Sequence, residues 1–246
     1  MKIAVIETGT AIPNLREKFG TYPEMLITLV SGLMPSTTFA EISVVSGDPL
    51  PEPGDYDGYV LMGSRHSVYE DLPWISPLKN LVRECSNKAI PQFCICFGHQ
   101  IMAEALGGRV DAAPSGWVVG LQHYNVISGH FGAGKYSVAG IAYHQDQVTK
   151  LPAGAQIILA SDTCEYAGIL YQNGRSFSVQ WHPEFNVQFT RELILQTAGD
   201  PLDKDVAEQA LQSLSAEPDR DQLARAIRSA LVGDESEKIV AQLLGQ

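Results

Sequence analysis

Apolar positions along the chain fall into two alternating patterns. KIAVIE (residues 2–7) is a short apolar run rich in β-branched residues and predicts a strand. TGTAIPN behind it is turn-prone, and YPEMLITLVSGLM then places apolar residues at the spacing of an amphipathic helix. FAEISVVSG (39–47) predicts a second strand, PLPEPGDYDG a loop, and YVLMGS a third strand ending near Gly63. SPLKNLVRECSNK (76–88) predicts a helix, AIPQFCIC (89–96) a buried strand, and HQIMAEAL a helix stopped by Gly107 and Gly108. Strands separated by helical stretches predict a parallel sheet with helices packed on it.

From about Val110 to Ser178 the pattern shifts to short alternating segments, such as WVVGLQHYNVI and AQIILAS, with Gly or Pro between them. These predict antiparallel strands added to the main sheet. FSVQW (177–181) predicts one more strand, and FNVQFTRELILQTA begins a helix. From about Gly199 the composition changes to Ala, Leu, Gln, Asp and Glu. Val206, Ala210, Leu211 and Leu214, then Leu223, Ile227 and Leu231, recur at three to four residues and predict two or three short helices. The division expected is residues 1–198 as one α/β domain and 199–246 as a helical extension packed on or beside it, or forming a homodimer contact. The extension holds no His or Cys, so chemistry is not expected there.

Charge and composition narrow the function classes. A net charge of −11 argues against nucleic acid as a partner, because phosphate binding draws on clustered Lys and Arg. No apolar run approaches the roughly 20 residues that cross a bilayer, and the opening MKIAVIETG lacks a leader pattern, so no membrane partner and a cytoplasmic location are expected. Cys85, Cys94, Cys96 and Cys164 show no CxxC spacing and read as reduced thiols.

Two of those thiols lie in FCICFGHQ (93–100). Cys96 falls where the strand ends and the helix begins, so the free N–H groups and partial positive charge of the helix end lie near its sulfur. Gly98 permits a sharp turn there. Cys94, two residues earlier in an extended chain, is expected on the same face but deeper, as a small hydrophobe. A nucleophilic thiol needs a base, and VQWHPEF (179–185) supplies one. His182 and Glu184 project from one face of an extended segment, which Pro183 favours at His182. A lone strand cysteine is usually core filler, but Cys, His and an orienting carboxylate together have the logic of an acyl-transfer triad.

ICFGHQ together with QWHPE resembles the class I glutamine amidotransferase family, in the form of a stand-alone GMP synthase-like amidotransferase domain. The resemblance runs from Lys2 to about Leu195, with LMGSRHSVYED (61–71) in the place of the oxyanion loop and YHQDQVTKLP (143–152) similar to a further motif. It implies a flavodoxin-like, mostly parallel sheet flanked by helices. It also implies Cys96 as nucleophile, His182 as base and acid, and Glu184 as the orienting carboxylate. Backbone N–H groups of Gly63 or Ser64 and of Phe97 would form the oxyanion hole. Gln100, Ser115, Gly116 and Trp117 would hold the γ-glutamyl substrate. No cofactor or metal is implied, and His144 and Asp146 are expected to share a local hydrogen bond rather than a metal. Cys94 stands where the family pattern has Gly, and MGSRHS has fewer glycines than the usual loop, which favours a preset loop over one that flips.

Three functions follow. The first is a free-standing hydrolase of glutamine or a γ-glutamyl amine. The second is an ammonia-supplying subunit with a separate synthase partner, since no GxxxxGK[ST] occurs and 199–246 is too short for a synthase. The third is a silent binding module of the same fold.

Overall fold

A computed structural model describes residues 1–127 and 136–245. Among the described residues its centre is a nine-stranded sheet. The parallel half is built from β1 (Lys2–Glu7), β2 (Thr38–Ser43), β3 (Gly58–Leu61) and β4 (Gln92–Ile95). Along the chain come helices α1 (Pro13–Phe19), α2 (Tyr22–Val30), α3 (Ile75–Asn87) and α4 (Phe97–Ala105). β5 (Arg109–Ala112), β6 (Val118–Val126), β7 (Ser137–His144), β8 (Asp146–Lys150), β9 (Gln156–Ser161), β10 (Cys164–Leu170) and β11 (Ser176–Val179) follow. The chain closes with α5 (Val187–Thr197), α6 (Lys204–Ser213), α7 (Arg220–Leu231) and α8 (Ser236–Leu243).

The strand order is β2-β1-β3-β4-β11-β10-β9-β6-β7, and β5 and β8 form a separate antiparallel pair. β2 through β4 and on to β11 pair in parallel, whereas β11-β10, β10-β9, β9-β6 and β6-β7 are antiparallel. The mostly parallel half with added antiparallel strands is the architecture expected from the alternating patterns, although residues 128–135 of the antiparallel stretch lie outside the described residues. Parallel neighbours need a crossover, which α1 and α2 supply between β1 and β2 and α3 between β3 and β4, whereas β2 reaches β3 through a loop; the helices cover both sheet faces.

Alternation along β1 divides the interior. Ile3 and Val5 face one core with Leu26 and Val30 of α2, and Ala4 and Ile6 face the other with Leu78 and Val82 of α3. α7 lies on the first face, where Leu223, Ala226, Ile227, Ala230 and Leu231 are fully buried among Ile3, Val5, Val60 and Phe93. A third core joins α5 and α6 to β6 and β7 through Phe185, Phe189, Leu193 and Ala210.

Local expectations change in three places. The strand expected over residues 39–47 ends at Ser43 and is followed by a 3₁₀ turn, Val44–Ser46. The TGTAIPN region leads into a helix, α1, that starts at Pro13 and is anchored by the buried Leu15. Seven residues are too few to be stable alone, and the helix stands on that tertiary contact. The helix expected over residues 22–34 ends at Val30 and continues as a single 3₁₀ turn, Ser31–Leu33. Its start is well fixed, with Thr21 and Glu24 forming a reciprocal capping box.

Candidate active site

The carboxyl ends of the parallel strands converge at one edge, where ligands bind in open α/β sheets. Thr8 follows β1, Gly63 follows β3, Cys96 follows β4, and His182 lies three residues past β11. Cys96 joins β4 to α4 with φ 50° and ψ −104°, a conformation non-glycine residues rarely adopt. Such a backbone costs on the order of 1–3 kcal/mol and persists only where its surroundings impose it. Here the Cys96 N–H donates to Val179 O (2.9 Å), and its carbonyl accepts from Gln100 N–H (3.0 Å). Gly98 is required because a Cβ there would lie 2.3 Å from the Leu61 carbonyl oxygen.

That turn separates the paired cysteines. Cys94 packs with Leu61, Cys85 and Phe97, whereas Cys96 borders the opposite core with Phe93 and Ile95. The expected shared face is therefore corrected, because the positive φ at Cys96 ends the strand alternation that would have kept the two together. Burial pushes the Cys94 thiol well up from its ordinary value, and Cys85 and Cys164 are pushed up to about 12, so all three are held as neutral thiols.

His182 stands over this turn. Its backbone N–H donates to Ile141 O on β7 (2.8 Å), and its ring stacks on Phe185 at 4.1 Å between centroids and 7° between planes. Nδ1 lies 2.8 Å from Glu184 Oε1, and Cys96 is near enough for its charge to act on the imidazole. Burial disfavours the imidazolium, but the charges of Glu184 and Cys96 outweigh it and hold His182 above its ordinary range. Gly63 closes the group, since a Cβ on it would fall 2.6 Å from His182 Cε1 and 3.6 Å from Cys96 Cβ.

The loop after β3 is pinned from below. Thr8 Oγ1 is 2.8 Å from the Met62 carbonyl and 3.2 Å from that of Gly63. Farther along, Ser67 Oγ and Tyr69 OH donate to the Asp146 carboxylate, so Asp146 holds this loop instead of the ring of His144. His144 is buried with both ring nitrogens lacking a hydrogen-bond partner. Burial and then the charge of His182 lower it to about 3. Among the described residues no group of three or more His, Cys, Asp or Glu side chains could hold a metal.

The remaining residues singled out from sequence are less concentrated. Phe97 opens α4, with an N–H the helix does not use. Gln100 is buried, its amide nitrogen engaged by Asp146 O (2.8 Å) and Gln180 Oε1 (3.3 Å). Ser115 is exposed and Gly116 turns with φ 73°, both in the connection between β5 and β6. Trp117 packs on Tyr143 at 5.5 Å, and among the described residues no hydrogen bond ties Ser115, Gly116 or Trp117 to the Cys96 group. Thr8 and Phe185 were missed from sequence. The available signal was position, since Thr8 directly follows a parallel strand and Phe185 directly follows Glu184.

The sheet order and the site at its carboxyl edge define a glutamine amidotransferase fold. The chain superposes on a glutamine amidotransferase from Thermotoga maritima with a TM-score of 0.71 at 20% identity, covering 98% of both chains. A second, from Methylobacillus flagellatus, gives 0.72 at 21% identity over 100% of this chain and 94% of that one. In sequence, residues 33–198 match the family model "Glutamine amidotransferase class-I", and the chain belongs to that family. It is 33% identical to γ-glutamyl peptidase 5 of Arabidopsis thaliana over 187 residues, 72% of this chain and 74% of that one. It is also 32% identical over 145 residues to a GMP synthase [glutamine-hydrolyzing] of Albidiferax ferrireducens, 53% of this chain and 25% of that protein.

Proposed function

We propose that this protein hydrolyses the γ-amide bond of glutamine or a γ-glutamyl amine, with Cys96 as nucleophile, His182 as proton carrier and Glu184 as the group that orients it. The observation that carries this reading is the position of His182, bonded to Glu184 at 2.8 Å and gathered with Cys96 around Gly63. A histidine held protonated beside a sulfur favours its thiolate, the nucleophilic form.

The Cys96 thiolate attacks the γ-carbonyl carbon, and the carbonyl electron pair moves onto oxygen as a tetrahedral oxyanion. Its collapse re-forms the carbonyl and breaks the C–N bond, while His182 gives its proton to the departing nitrogen. Ammonia or an amine leaves, and a γ-glutamyl thioester remains on Cys96. His182, now neutral, takes a proton from water as the water attacks the thioester. The thiolate departs, glutamate is released, and the imidazolium is restored.

Support for an oxyanion hole comes from the pinned loop. A trans peptide sets its C=O and N–H on opposite sides, so anchoring the Gly63 carbonyl on Thr8 turns the Ser64 N–H away from Thr8. With the Phe97 N–H at the head of α4 it supplies two donors for the developing charge. A loop anchored in this way is preset, which suits an enzyme competent without a partner.

The name of the Arabidopsis relative supports a γ-glutamyl peptide or amide as substrate. The GMP synthase match supports the second reading, a subunit that hands ammonia to a separate synthase. Assaying the purified chain alone against glutamine and a panel of γ-glutamyl amines and peptides separates them. Turnover without a partner supports the hydrolase, whereas turnover that waits for an added synthase supports the subunit. No thioester with any γ-glutamyl compound would leave a binding module.

A further inference from the structure

Outside the matched family segment, the start of α7 touches the loop that carries His182 and Glu184. Asp219 and β7 bond reciprocally: the Ala139 N–H donates to Asp219 Oδ2 (2.7 Å), and the Asp219 N–H donates to Ala139 O (2.8 Å). Two residues along β7, Ile141 O receives the His182 N–H. Arg220 reaches the same loop directly, with Nε 3.4 Å from the Pro183 carbonyl and Nη2 3.3 Å from that of Glu184.

Both residues run against the preferences of their own helix. An Asp preceding a helix ordinarily caps it by accepting from the second or third N–H, yet Asp219 makes no such bond and its carboxylate serves β7. A cation in the first turn opposes the helix dipole, yet Arg220 is the first residue of α7. Local choices that conflict with the helix but satisfy a neighbouring element mark a constraint set by that element.

We propose that Asp219 and Arg220 are positioning residues that set the height and angle of His182 and Glu184 over Cys96. The pair makes the C-terminal helices part of the machinery for turnover. Asp219 fixes the strand on which the His182 backbone hangs, and the Arg220 fork draws together the carbonyls of Pro183 and Glu184. A carboxylate can then meet Nδ1 while the far edge of the ring meets the sulfur. The inference rests on the proposed roles of Cys96, His182 and Glu184.

The test compares wild type with Arg220→Ala, Arg220→Gln, Arg220→Lys and Asp219→Asn, reading kcat, KM, thermal midpoint and the rate at which iodoacetamide alkylates Cys96. The expected result is a loss of about tenfold to a hundredfold in kcat for Arg220→Ala and Arg220→Gln with KM within about twofold, because small misplacements of a reacting group act on the chemical step. Arg220→Lys recovers part of it, since an ammonium reaches one carbonyl where the fork reaches two. Asp219→Asn falls in the same direction as the neutral Arg220 variants. Wild-type kcat in a folded Arg220→Ala or Arg220→Gln protein overturns the proposal. If Arg220→Ala does not fold, the Gln variant carries the same decision. A wild type inactive on every γ-glutamyl compound defeats the functional reading instead. Alkylation then decides the positioning role alone: Cys96 labelling slowed severalfold in the neutral variants supports it, and an unchanged rate overturns it.

Discussion

Cys96 occupies a backbone conformation that costs energy, and the neighbouring contacts explain why the chain holds it there. Gly98 lets α4 begin against the Leu61 carbonyl, and Gly63 leaves room for the imidazole. A serine at position 96 would keep this geometry, but its hydroxyl is not ionised by a helix end and one imidazole. Cys96→Ser is therefore predicted to abolish measurable γ-glutamyl hydrolysis with circular dichroism unchanged. Cys94→Gly is predicted to retain much of the activity, because Cys94 packs in the other core; a continuous assay with both variants checks the pair. Wild-type turnover in Cys96→Ser with loss in Cys94→Gly would exchange their roles. Sequence pattern alone placed Cys94 inside the strand and Cys96 at its end but gave the two one shared face, because a single φ of the opposite sign is not written in composition or periodicity.

At the scale of elements, two histidines are buried against the sheet that carries the site. His99, on α4, lies 2.7 Å from Ser178 Oγ on β11, and burial, then the charge of His144, lowers it to about 3. His144, at the end of β7, is lowered to about 3 by burial and then by His182. Both stay neutral when folded but bind a proton when unfolded below the ordinary value of about 6.5. Stability from these groups is fully present above pH 6.5 and is lost as pH falls toward 3, at about 1.4 kcal/mol per unit for each histidine. Urea midpoints measured from pH 7 to pH 4 are predicted to fall, and His99→Gln is predicted to flatten the slope. An unchanged slope in that variant would remove His99 from the explanation. The parallel strands, their order of appearance and the long amphipathic helices were legible from apolar spacing, and the antiparallel stretch was legible as a region, not strand by strand. Helix α1, the pinning of the β3 loop by Thr8 and Asp146, and the grip of Arg220 on Pro183 were not. Each depends on residues brought together from separate parts of the sequence.

For the whole molecule, the C-terminal helices share the main core. Ile227 is fully buried with Ile3, Val5 and Phe93, and Ile227→Ala is predicted to cost about 2–5 kcal/mol, measured by denaturant unfolding. Deleting residues 199–246 would bare that face of the parallel strands, and we propose that residues 1–198 alone are poorly soluble. A soluble truncated chain with the wild-type unfolding midpoint would make 199–246 a separable extension. Among the described residues no helix is long and apolar enough to cross a membrane. The central claim is that one thiol of four forms a γ-glutamyl thioester. Its most direct test is to incubate the protein with a glutamine-like electrophile, with and without excess glutamine or γ-glutamyl amine, and map the adduct by peptide mass spectrometry. The prediction is a single adduct on Cys96 that the competing substrate prevents. An adduct on Cys85, Cys94 or Cys164 with Cys96 unmodified, or labelling of Cys96 that no γ-glutamyl compound protects, would contradict it.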